Sequence, residues 1–472
     1  RNLGMYRMQV FAPDMTGMHW HLHKGSAAHF RKYRELGRRM PVTVTLGGDP
    51  AYTYAATAPL PENVDEYLLA GFLRKKRVEM VRCLTNDLEV PADVDFVIEG
   101  YVDPSEEMIL EGPFGDHTGF YSLPDFYPRF HVTCITHRRD AVYPATLVGI
   151  PPQEDGWIGK ATEMIFKAPI RMTVAPELSG MHMPVEGVFH NIVLAAIDKS
   201  YPGQAPKTMN ALWGAGQMMF NKIMVVTGPD TDLTDYRAVA RVVSERTDPV
   251  ADIHFQRGPV DILDHASSRF AYGSKIGFDA TAKLPEEVTG PVIVSGDPYK
   301  AVVAEVADSE AIHPAVTRID DQLQSQGISL RVVYVRKSER GVIREIADRM
   351  ASSGHTRGVK FILFSDERTS GLDISGLSWV AANNIDPVRD CFYSEQSPGR
   401  PWPVLFIDAT RKCGDLDDFG RDWPNVTVMD ANTIGLVDER WHSLGLGPLV
   451  PSPSLKYKVL NDNEGAIACS VG

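Results

Sequence analysis

Two acidic residues in one short segment are the strongest candidates for chemistry in this chain of 472 residues. Glu111 and Asp116 stand in the segment 111–121, whose glycines and proline restrict the backbone so that both side chains can face one substrate. When two carboxyl groups share a pocket, their pKa values move apart, so that one stays ionised and the other donates a proton. The same composition is typical of a turn-forming loop. An acid and carboxylate pair and an ordinary loop therefore both remain open.

Imidazole side chains are concentrated near the N-terminus, where His19, His21 and His23 alternate with other residues. On a β-strand, alternate residues share a face, so the spacing predicts three imidazoles presented to a metal ion. Three such ligands around an open position are typical of a zinc hydrolase, and an exposed polar strand face is the alternative. Further along the chain, Lys275 lies in a glycine-flanked segment, a weak signal for phosphate binding.

Composition excludes several classes of function. The net charge is -13 and the basic residues are scattered, so the chain lacks the basic stripe that nucleic acids require. No stretch approaches the ~20 apolar residues of a membrane span. The cysteines are odd in number and widely spaced, which predicts reduced thiols in the cytoplasm. They are Cys83, Cys134, Cys391, Cys413 and Cys469.

The distribution of periodic segments predicts a β-rich first part and an α/β second part. Residues 1–150 show alternating apolar patterns broken by glycine, proline and aspartate, with one helix predicted directly after Pro61. From about residue 160 onward, amphipathic stretches alternate with β-branched runs. We therefore expect an α+β multidomain protein.

The α/β part contains an internal repeat. Residues 190–252 align without gaps onto residues 328–390, and the matches are densest in an Asp-Pro-Val-x-Asp block that begins at Asp248 and again at Asp386. Duplication of one α/β unit explains this clustering, and a coincidence between two similar helix and strand patterns is the alternative.

Three segments taken together resemble the UbiD family of prenylated-FMN-dependent (de)carboxylases. They are residues 111–121, the N-terminal residues 1–25, and the segment 272–277 that contains Lys275; the stretch from Cys83 to Ala92 is a further block typical of the family. The resemblance extends to about residue 283 and is closest to the hydroxybenzoate and menaquinone branch. It implies a lyase that uses prenylated FMN, with a divalent metal that clamps the flavin phosphate.

The resemblance also implies roles for individual residues. The catalytic residues would be Arg7, Glu111 and Asp116, with Asp116 as the acid that protonates the product. Asn2, His23 and Glu66 would bind Mn²⁺ or Mg²⁺, and K⁺ is a further candidate cation. The flavin contacts would be Asn2, Met5, Tyr6, Arg7, His19, Trp20, His21, Lys24, Gly25 and, at the phosphate, Lys275. Trp157 and Ile158 would line the substrate ring.

The implied domains are a split β-barrel flavin-binding domain at residues 1–160, an α/β domain at 161–285, and a second, degenerate α/β copy at 286–472. The last would be structural or would support oligomerisation. Family members carry a further N-terminal domain, which we expect to be missing from this sequence because it begins at Arg1 without a methionine.

With an aspartate at position 116, the chain resembles the family members that act on hydroxylated aromatic acids. The expected substrate is therefore a hydroxybenzoate or a dihydroxynaphthoate of ubiquinone or menaquinone synthesis. A flavin prenyltransferase would supply the cofactor, and a homodimer or hexamer is expected. Peripheral membrane contact is expected if the substrate is prenylated. A metal-dependent hydrolase using His19, His21 and His23, and a non-catalytic flavin-binding subunit, are the alternatives.

Overall fold

A computed structural model describes residues 3–61, 64–288, 312–356, 358–393 and 403–470. The chain forms two compact units. The first contains residues 1–114 and 122–147, and the second contains residues 115–121 and 148–472. The predicted domain boundary at residue 160 falls inside the helix Asp155–Thr173, so this whole helix belongs to the second unit.

The first unit is built on a five-stranded antiparallel sheet. In spatial order its strands are Met8–Ala12, Met15–Met18, Arg129–His137, Phe96–Val102 and Met40–Leu46. One face packs on a core that includes Trp20, Phe30 and Phe130. The described strands do not close into a barrel, so the predicted split barrel is not confirmed in this part of the chain. Short strands complete the unit: Met80–Arg82, Glu89–Pro91, Ile109–Glu111 and Asp125–Tyr127, with Phe114–Gly115 and Tyr121–Ser122 at its border.

The described part of the first unit holds three helices, where the sequence pattern predicted one. They are Gly25–Glu35, Pro50–Thr57 and Glu66–Arg74. The second and third have aspartate caps, since Asp49 accepts a hydrogen bond from the Ala51 amide and Asp65 from that of Tyr67. Short amphipathic segments flanked by strands were missed because their apolar residues are too few to show a helical period.

The second unit contains two sheets with the same topology. The middle sheet has the order Leu178–His182, Ile192–Ile197, Ile223–Thr227, Tyr272–Ala280 and Ile253–Pro259. The C-terminal sheet has the order Val316–Asp320, Leu330–Val335, Phe361–Asp366, Leu405–Asp408 and Cys391–Tyr393. In both, the two inner pairings are parallel and the two outer pairings are antiparallel. This shared order is the one that the repeat predicts.

Equivalent elements of the two copies begin at equivalent residues. The helices Gln204–Trp213 and Val342–Ser353 both follow a glycine in the left-handed region, Gly203 with φ 77° and Gly341 with φ 74°. The helices Tyr236–Arg246 and Ile374–Asn384 both begin after an aspartate whose carboxylate caps the first turn. These caps explain why Asp235 and Asp373 are among the matched positions of the repeat.

Other short elements complete the described part of the second unit. Its remaining described α-helices are Gln322–Ser325, Pro387–Asp390, Gly414–Asp417, Ala431–Arg440 and Ser454–Tyr457. The 3₁₀ helices are Val185–Gly187, Gly216–Phe220, Pro285–Glu287, Glu367–Thr369, Trp441–Leu444 and Lys458–Leu460. Within the described ranges, no helix combines the length and the apolar character that crossing a bilayer would need.

Two buried lysines join the copies in a reciprocal manner. Lys222 donates to the carbonyl of Ile385 at 2.9 Å, and its repeat equivalent Lys360 donates to the carbonyl of Thr247 at 3.1 Å. Thr247 and Ile385 are themselves equivalent positions of the repeat. The two copies therefore contact each other through the same residues, as the subunits of a two-fold dimer do.

A disulfide overturns part of the cysteine prediction. Cys413 and Cys469 are joined, whereas Cys83, Cys134 and Cys391 are free. Cys469 reaches its partner because its strand, Ile467–Cys469, pairs with Trp423–Pro424. The sequence separation of 56 residues hides this pairing. The prediction of reduced thiols is wrong for this pair, and cysteine spacing no longer supports a cytoplasmic location.

Removing one charge of the buried ion pair within the middle copy tests how much the fold depends on it. The Nζ atom of Lys222 lies 2.6 Å from an Asp264 oxygen, and both side chains are 2% exposed. We expect Lys222→Met to lower the free energy of unfolding by about 3–5 kcal/mol, because Asp264 would keep a buried charge without its cation. Denaturant unfolding followed by tryptophan fluorescence measures this change.

Lys456→Met is the matched control, since Lys456 pairs with Asp373 at an exposed position. It should cost less than about 1 kcal/mol. Equal unfolding midpoints for the two variants would contradict a structural role for the buried pair.

Candidate active site

Glu111 is the centre of a buried charged cluster in the first unit. It ends the short strand Ile109–Glu111 and is 1% exposed. The guanidinium of Arg7 donates to both of its oxygens, from Nε to Oε1 at 2.8 Å and from Nη2 to Oε2 at 2.9 Å. This bidentate geometry is the strongest form of an arginine–carboxylate pair. The structure thus brings together two of the three predicted catalytic residues.

His19 is the second partner of Glu111. Its Nδ1 lies 3.1 Å from Glu111 Oε2, and its ring packs on Tyr127 with centroids 4.4 Å apart. Burial raises the pKa of Glu111, but hydrogen bonds from His19 and Arg7 outweigh it and lower the pKa to about 2. Glu111 is therefore a carboxylate at neutral pH.

His19 leaves one polar atom without a partner. In a neutral ring whose Nδ1 carries the hydrogen donated to Glu111, Nε2 is the acceptor nitrogen. Among the described residues, Nε2 is buried and has no hydrogen-bond partner. Buried polar atoms are nearly always satisfied in native proteins, so this atom marks a place for a ligand or a water molecule. A flavin contact at His19 fits this observation.

Residues that the sequence pattern did not single out complete this cluster. Arg7 Nη2 also donates to Ser122 Oγ at 2.9 Å, and the same oxygen accepts from the amide of Phe114. The Gln9 side chain accepts from the amide of Gly112, a residue whose φ of 88° favours glycine. Nothing in the type or spacing of Ser122 or Gln9 distinguishes them from ordinary polar residues.

The three histidines do not form the predicted metal face. The strand Met15–Met18 ends before His19, so the two-residue alternation that would align His19, His21 and His23 does not apply. Among the described residues, the one group of His, Cys, Asp and Glu side chains close enough to share a metal ion is elsewhere, at His313, Glu339 and Glu345. The hydrolase alternative therefore loses its geometric basis.

The predicted metal ligands lie in separate segments of the first unit. Glu66 begins the helix Glu66–Arg74, is buried, and accepts a hydrogen bond from the Leu3 amide. Burial raises the pKa of Glu66. His23 lies in an exposed turn, and Asn2 lies outside the described residues. A carboxylate oxygen and an imidazole nitrogen suit a divalent ion such as Mn²⁺.

The predicted flavin contacts fall around the start of one helix. Lys24 is the N-cap and Gly25 the first residue of the helix Gly25–Glu35, whose first turn carries no acidic residue. The N-terminal amides and the positive dipole end of a helix attract a phosphate. The other predicted contacts vary in exposure: Met5 is exposed, Tyr6 and His21 are half-buried, and Trp20 is buried in the core.

Lys275 has a structural role in place of the predicted one. It lies on the inner strand Tyr272–Ala280, not on a loop, and is 1% exposed. Its ammonium donates to the carbonyls of Met219, Asn221 and Pro259. These bonds use all three hydrogens. The predicted phosphate contact at Lys275 is therefore corrected, because a glycine-flanked lysine in sequence is a buried strand residue in the fold.

Asp116 belongs to the second unit, in the turn formed by residues 115–121. It is 9% exposed, and its Oδ1 accepts from the backbone amide of His117 at 2.8 Å. The amide of Gly119 closes the turn on the Asp116 carbonyl, with φ at 83°. A Cβ atom at Gly119 would lie 2.7 Å from the ring of Trp379, so glycine is required here. Trp157 and Ile158, which were predicted to line the ring of the substrate, lie on the helix Asp155–Thr173, where Trp157 is 79% exposed.

The C-terminal copy holds this turn in place. Trp379 donates from its indole nitrogen to the carbonyl of Thr118 at 2.7 Å, and the amide of Thr427 donates to the carbonyl of Gly119. A β-bridge joins Phe120 to Val426. The degenerate copy, predicted to be structural, thus supports the backbone of a predicted catalytic residue.

Comparison with known protein families gives two matches. The UbiD model, described as the 3-octaprenyl-4-hydroxybenzoate carboxy-lyase Rift-related domain, matches residues 1–151. The UbiD_C model, described as the C-terminal domain of the same carboxy-lyase, matches residues 156–280. Together they cover more than half of the chain.

Relatives and solved structures agree with these matches. An uncharacterized protein of Archaeoglobus fulgidus is 50% identical over 288 residues, which are 61% of this chain and 60% of that protein. An evolved dimeric form of the UbiD-class enzyme HmfF from Pelotomaculum thermopropionicum, in complex with prFMN, matches with a TM-score of 0.51 and 28% identity over 60% of this chain and 62% of that one. Vanillic acid decarboxylase of Sedimentibacter hydroxybenzoicus in closed form matches with a TM-score of 0.58 and 25% identity, over 62% of each chain.

The charge of Glu111 should contribute to stability in a pH-dependent manner. Its pKa in the folded chain is about 2, below the ordinary value of 4.5, so the contribution is fully present above pH 4.5 and is lost as the pH falls toward 2. We expect Glu111→Gln to lower the free energy of unfolding by about 2–3 kcal/mol at pH 7, with a smaller difference at pH 3. Urea unfolding at both pH values measures it.

Glu107→Gln, at an exposed position nearby, is the control and should change stability little at either pH. A Glu111→Gln difference that stays constant from pH 7 to pH 3 would contradict the ionised, paired state.

Support of the Asp116 turn by Trp379 can be tested by hydrogen exchange. Trp379→Phe keeps an aromatic ring but removes the donor to Thr118. One lost buried hydrogen bond, at about 1 kcal/mol or more, should speed amide exchange in residues 115–121 by about fivefold or more. Mass spectrometry of the peptide that covers this turn provides the measurement.

Trp441→Phe is the matched control, because its indole donates to Gly447 at an exposed position. In Trp441→Phe, the amide hydrogens of residues 115–121 should exchange at the same rate as in the unchanged chain. Equal exchange in the Trp379 variant would show that the indole bond does not hold the turn.

Proposed function

We propose, since the chain belongs to the UbiD family of carboxy-lyases, that it removes or adds the carboxylate of an aromatic acid with prenylated FMN as cofactor. The observation that carries this proposal is the buried Glu111 carboxylate held by Arg7 and His19, with the unpartnered Nε2 of His19 beside it. The prFMN complex of the HmfF form supports the choice of cofactor.

The cofactor would be held by side chains and amides of the first unit. Lys24 and the first turn of its helix would bind the flavin phosphate, and His19 Nε2 would accept a hydrogen bond from the flavin. Glu66 and His23, with Asn2, would bind the Mn²⁺ or Mg²⁺ that neutralises the phosphate charge. When bound, prenylated FMN supplies the electron sink that loss of CO₂ requires.

Arg7 and Glu111 would act on the carboxylate of the substrate. The guanidinium of Arg7 lies 4.6 Å from the centre of the Phe114 ring and is fixed by Glu111 and Ser122, so its direction is set before substrate arrives. A preorganised cation orients an incoming carboxylate without a further ordering cost. Glu111 keeps Arg7 in this orientation because its pKa of about 2 leaves it ionised throughout.

Asp116 would supply the proton that replaces CO₂. A carboxyl group can act as a general acid when it is held within reach of the reacting carbon. The turn at 115–121, fixed by Trp379 and Thr427, gives Asp116 the constrained backbone that this role requires. An aspartate at this position favours a hydroxylated aromatic acid, of the hydroxybenzoate or dihydroxynaphthoate type, as the substrate.

Turnover of variants loaded with cofactor tests this proposal. The chain would be purified without oxygen from cells that also express a flavin prenyltransferase, and decarboxylation of hydroxylated aromatic acids would be followed by the loss of their absorbance. We expect Arg7→Ala and Asp116→Asn to lower kcat by about 10²–10⁴-fold, because Arg7 would orient the substrate carboxylate and Asp116 would supply the proton. Both should retain the flavin.

Arg38→Ala and Asp140→Asn change exposed residues and serve as charge-matched controls. Full turnover in either the Arg7 or the Asp116 variant would overturn the assigned role. A preparation that binds no flavin and turns over no aromatic acid would overturn the proposed function.

A further inference from the structure

A pair of histidines is hydrogen-bonded to Asp116 in the second unit. His117 Nδ1 is 3.2 Å from Asp116 Oδ1, and His117 Nε2 is 3.3 Å from His190 Nε2. The two rings meet edge to face, with centroids 5.5 Å apart. The three side chains therefore form a continuous hydrogen-bonded row that begins at the predicted acid.

The geometry of this row determines where its hydrogens lie. A carboxylate can only accept, so the bond between Asp116 and His117 requires a hydrogen on His117 Nδ1. The bond between the two Nε2 atoms requires a hydrogen on one of them only. If His117 is the imidazolium, it donates from both nitrogens, and His190 accepts as a neutral ring with its hydrogen on Nδ1.

The charges around the row favour this arrangement. Burial lowers the pKa of His117, but the hydrogen bond and charge of Asp116, with the charges of Asp261 and Asp155, outweigh it and raise the pKa to about 8. Burial lowers the pKa of His190 to about 4, with the charge of Asp261 opposing and that of His117 reinforcing the shift. The groups that face His117 are Asp116 on its own turn, Asp155, His190 and Asp261, with Asp264 and Lys222 acting on His190.

The backbone near His190 is held in an uncommon conformation. Val188 and Phe189 both have positive φ, at 46° and 65°, which is costly for non-glycine residues and usually persists only where surrounding structure enforces it. The ring of Phe189 enforces it here, because it packs on helix Asp155–Thr173 at Gly159, where a Cβ atom would lie 2.4 Å from the ring. The residue next to His190 therefore packs against the helix that also carries Asp155.

Two polar atoms at this place lack partners. Asp155 Oδ2 and His190 Nδ1 are buried and have no hydrogen-bond partner in the part of the chain that the structure describes. Burial raises the pKa of Asp155, while the positive charge of His117 opposes this shift. Unsatisfied polar atoms beside a charged pair are typical of functional clusters and rare in purely structural cores.

We propose that His117 stores the proton that Asp116 delivers to the substrate, and that His190 fixes the His117 ring for this transfer. Both histidines act through Asp116 and are positioning residues. This inference rests on the proposed function, since it needs a reaction in which Asp116 protonates carbon.

The proposed transfer moves one proton in two steps. The N–H bond at His117 Nδ1 breaks and an O–H bond forms on the Asp116 carboxylate, which leaves both groups neutral. The O–H bond then breaks, and the electron pair left on carbon by departing CO₂ forms the new C–H bond. Asp116 returns to the carboxylate, and one proton from water recharges His117 after the product leaves.

The stored proton can be observed without any turnover. In the whole chain labelled with ¹⁵N in its 14 histidine rings, the His117 signal would be identified by its absence in His117→Asn. We expect the His117 ring to carry a hydrogen on both nitrogens at neutral pH and to lose one of them near pH 8. In Asp116→Asn the midpoint of this titration should lie at least one pH unit lower, because the paired carboxylate is gone. Titration near pH 6.5 in both proteins would overturn the proposal.

Turnover supplies the second readout. Asparagine retains a donor near the position of Nδ1 but cannot store a proton, so His117→Asn should lower kcat about 10–100-fold with KM changed less than threefold. The fall of wild-type kcat above about pH 8 should disappear in this variant. His190→Gln, which retains a polar group near Nε2, should keep most of the activity, and the exposed His442→Asn should match the wild type.

The two readouts separate this inference from the function on which it rests. An active decarboxylase with an unshifted His117 and an unchanged pH profile in His117→Asn would overturn the proton store alone. The other outcome is a His117 signal that titrates near pH 8 in a chain that decarboxylates no aromatic acid. It would overturn the proposed function and the delivery of the proton to a substrate, but not the charged hydrogen bond between His117 and Asp116.

Discussion

A buried carboxylate must be paired with donors, and this constraint organises the first unit around Glu111. The isolated charge would cost several kcal/mol at a position that is 1% exposed. Arg7 and His19 remove that cost, and because Arg7 is 104 residues away in sequence, the N-terminal segment is held against the strand that carries Glu111. The orientation of Arg7, on which recognition of a carboxylate would depend, is thus a consequence of charge burial.

The second unit meets the same constraint with the duplicated α/β copies. The ammonium groups of Lys222 and Lys360 are buried between them and satisfied by carbonyls of the opposite copy, and Lys222 also neutralises Asp264. Without the C-terminal copy, Lys222 would lose its bond to the Ile385 carbonyl, and the carbonyls of Ser244 and Thr247 would lose their donor, Lys360. The same copy supplies Trp379 to the turn of Asp116, so its retention also serves the geometry of the predicted acid.

Unsatisfied atoms complement the paired ones. His19 Nε2 in the first unit, and Asp155 Oδ2 and His190 Nδ1 in the second, are buried without hydrogen-bond partners among the described residues. In each case the neighbouring groups are charged and fixed by packing. Each of these three atoms is a position at which a ligand or a water molecule would complete the hydrogen-bond network.

Features that depend on local spacing could be predicted from the amino-acid sequence. The offset of 138 residues predicted two sheets of one topology, the aspartate caps appear at its matched positions, and the segment 111–121 holds the predicted acids. Tertiary structure decided which side chains meet. It placed His19 on Glu111 and not on a metal face, enclosed Lys275 within a sheet, and joined Cys413 to Cys469. These contacts join residues up to 92 positions apart, and hydrophobic periodicity carries no information about pairings at that distance.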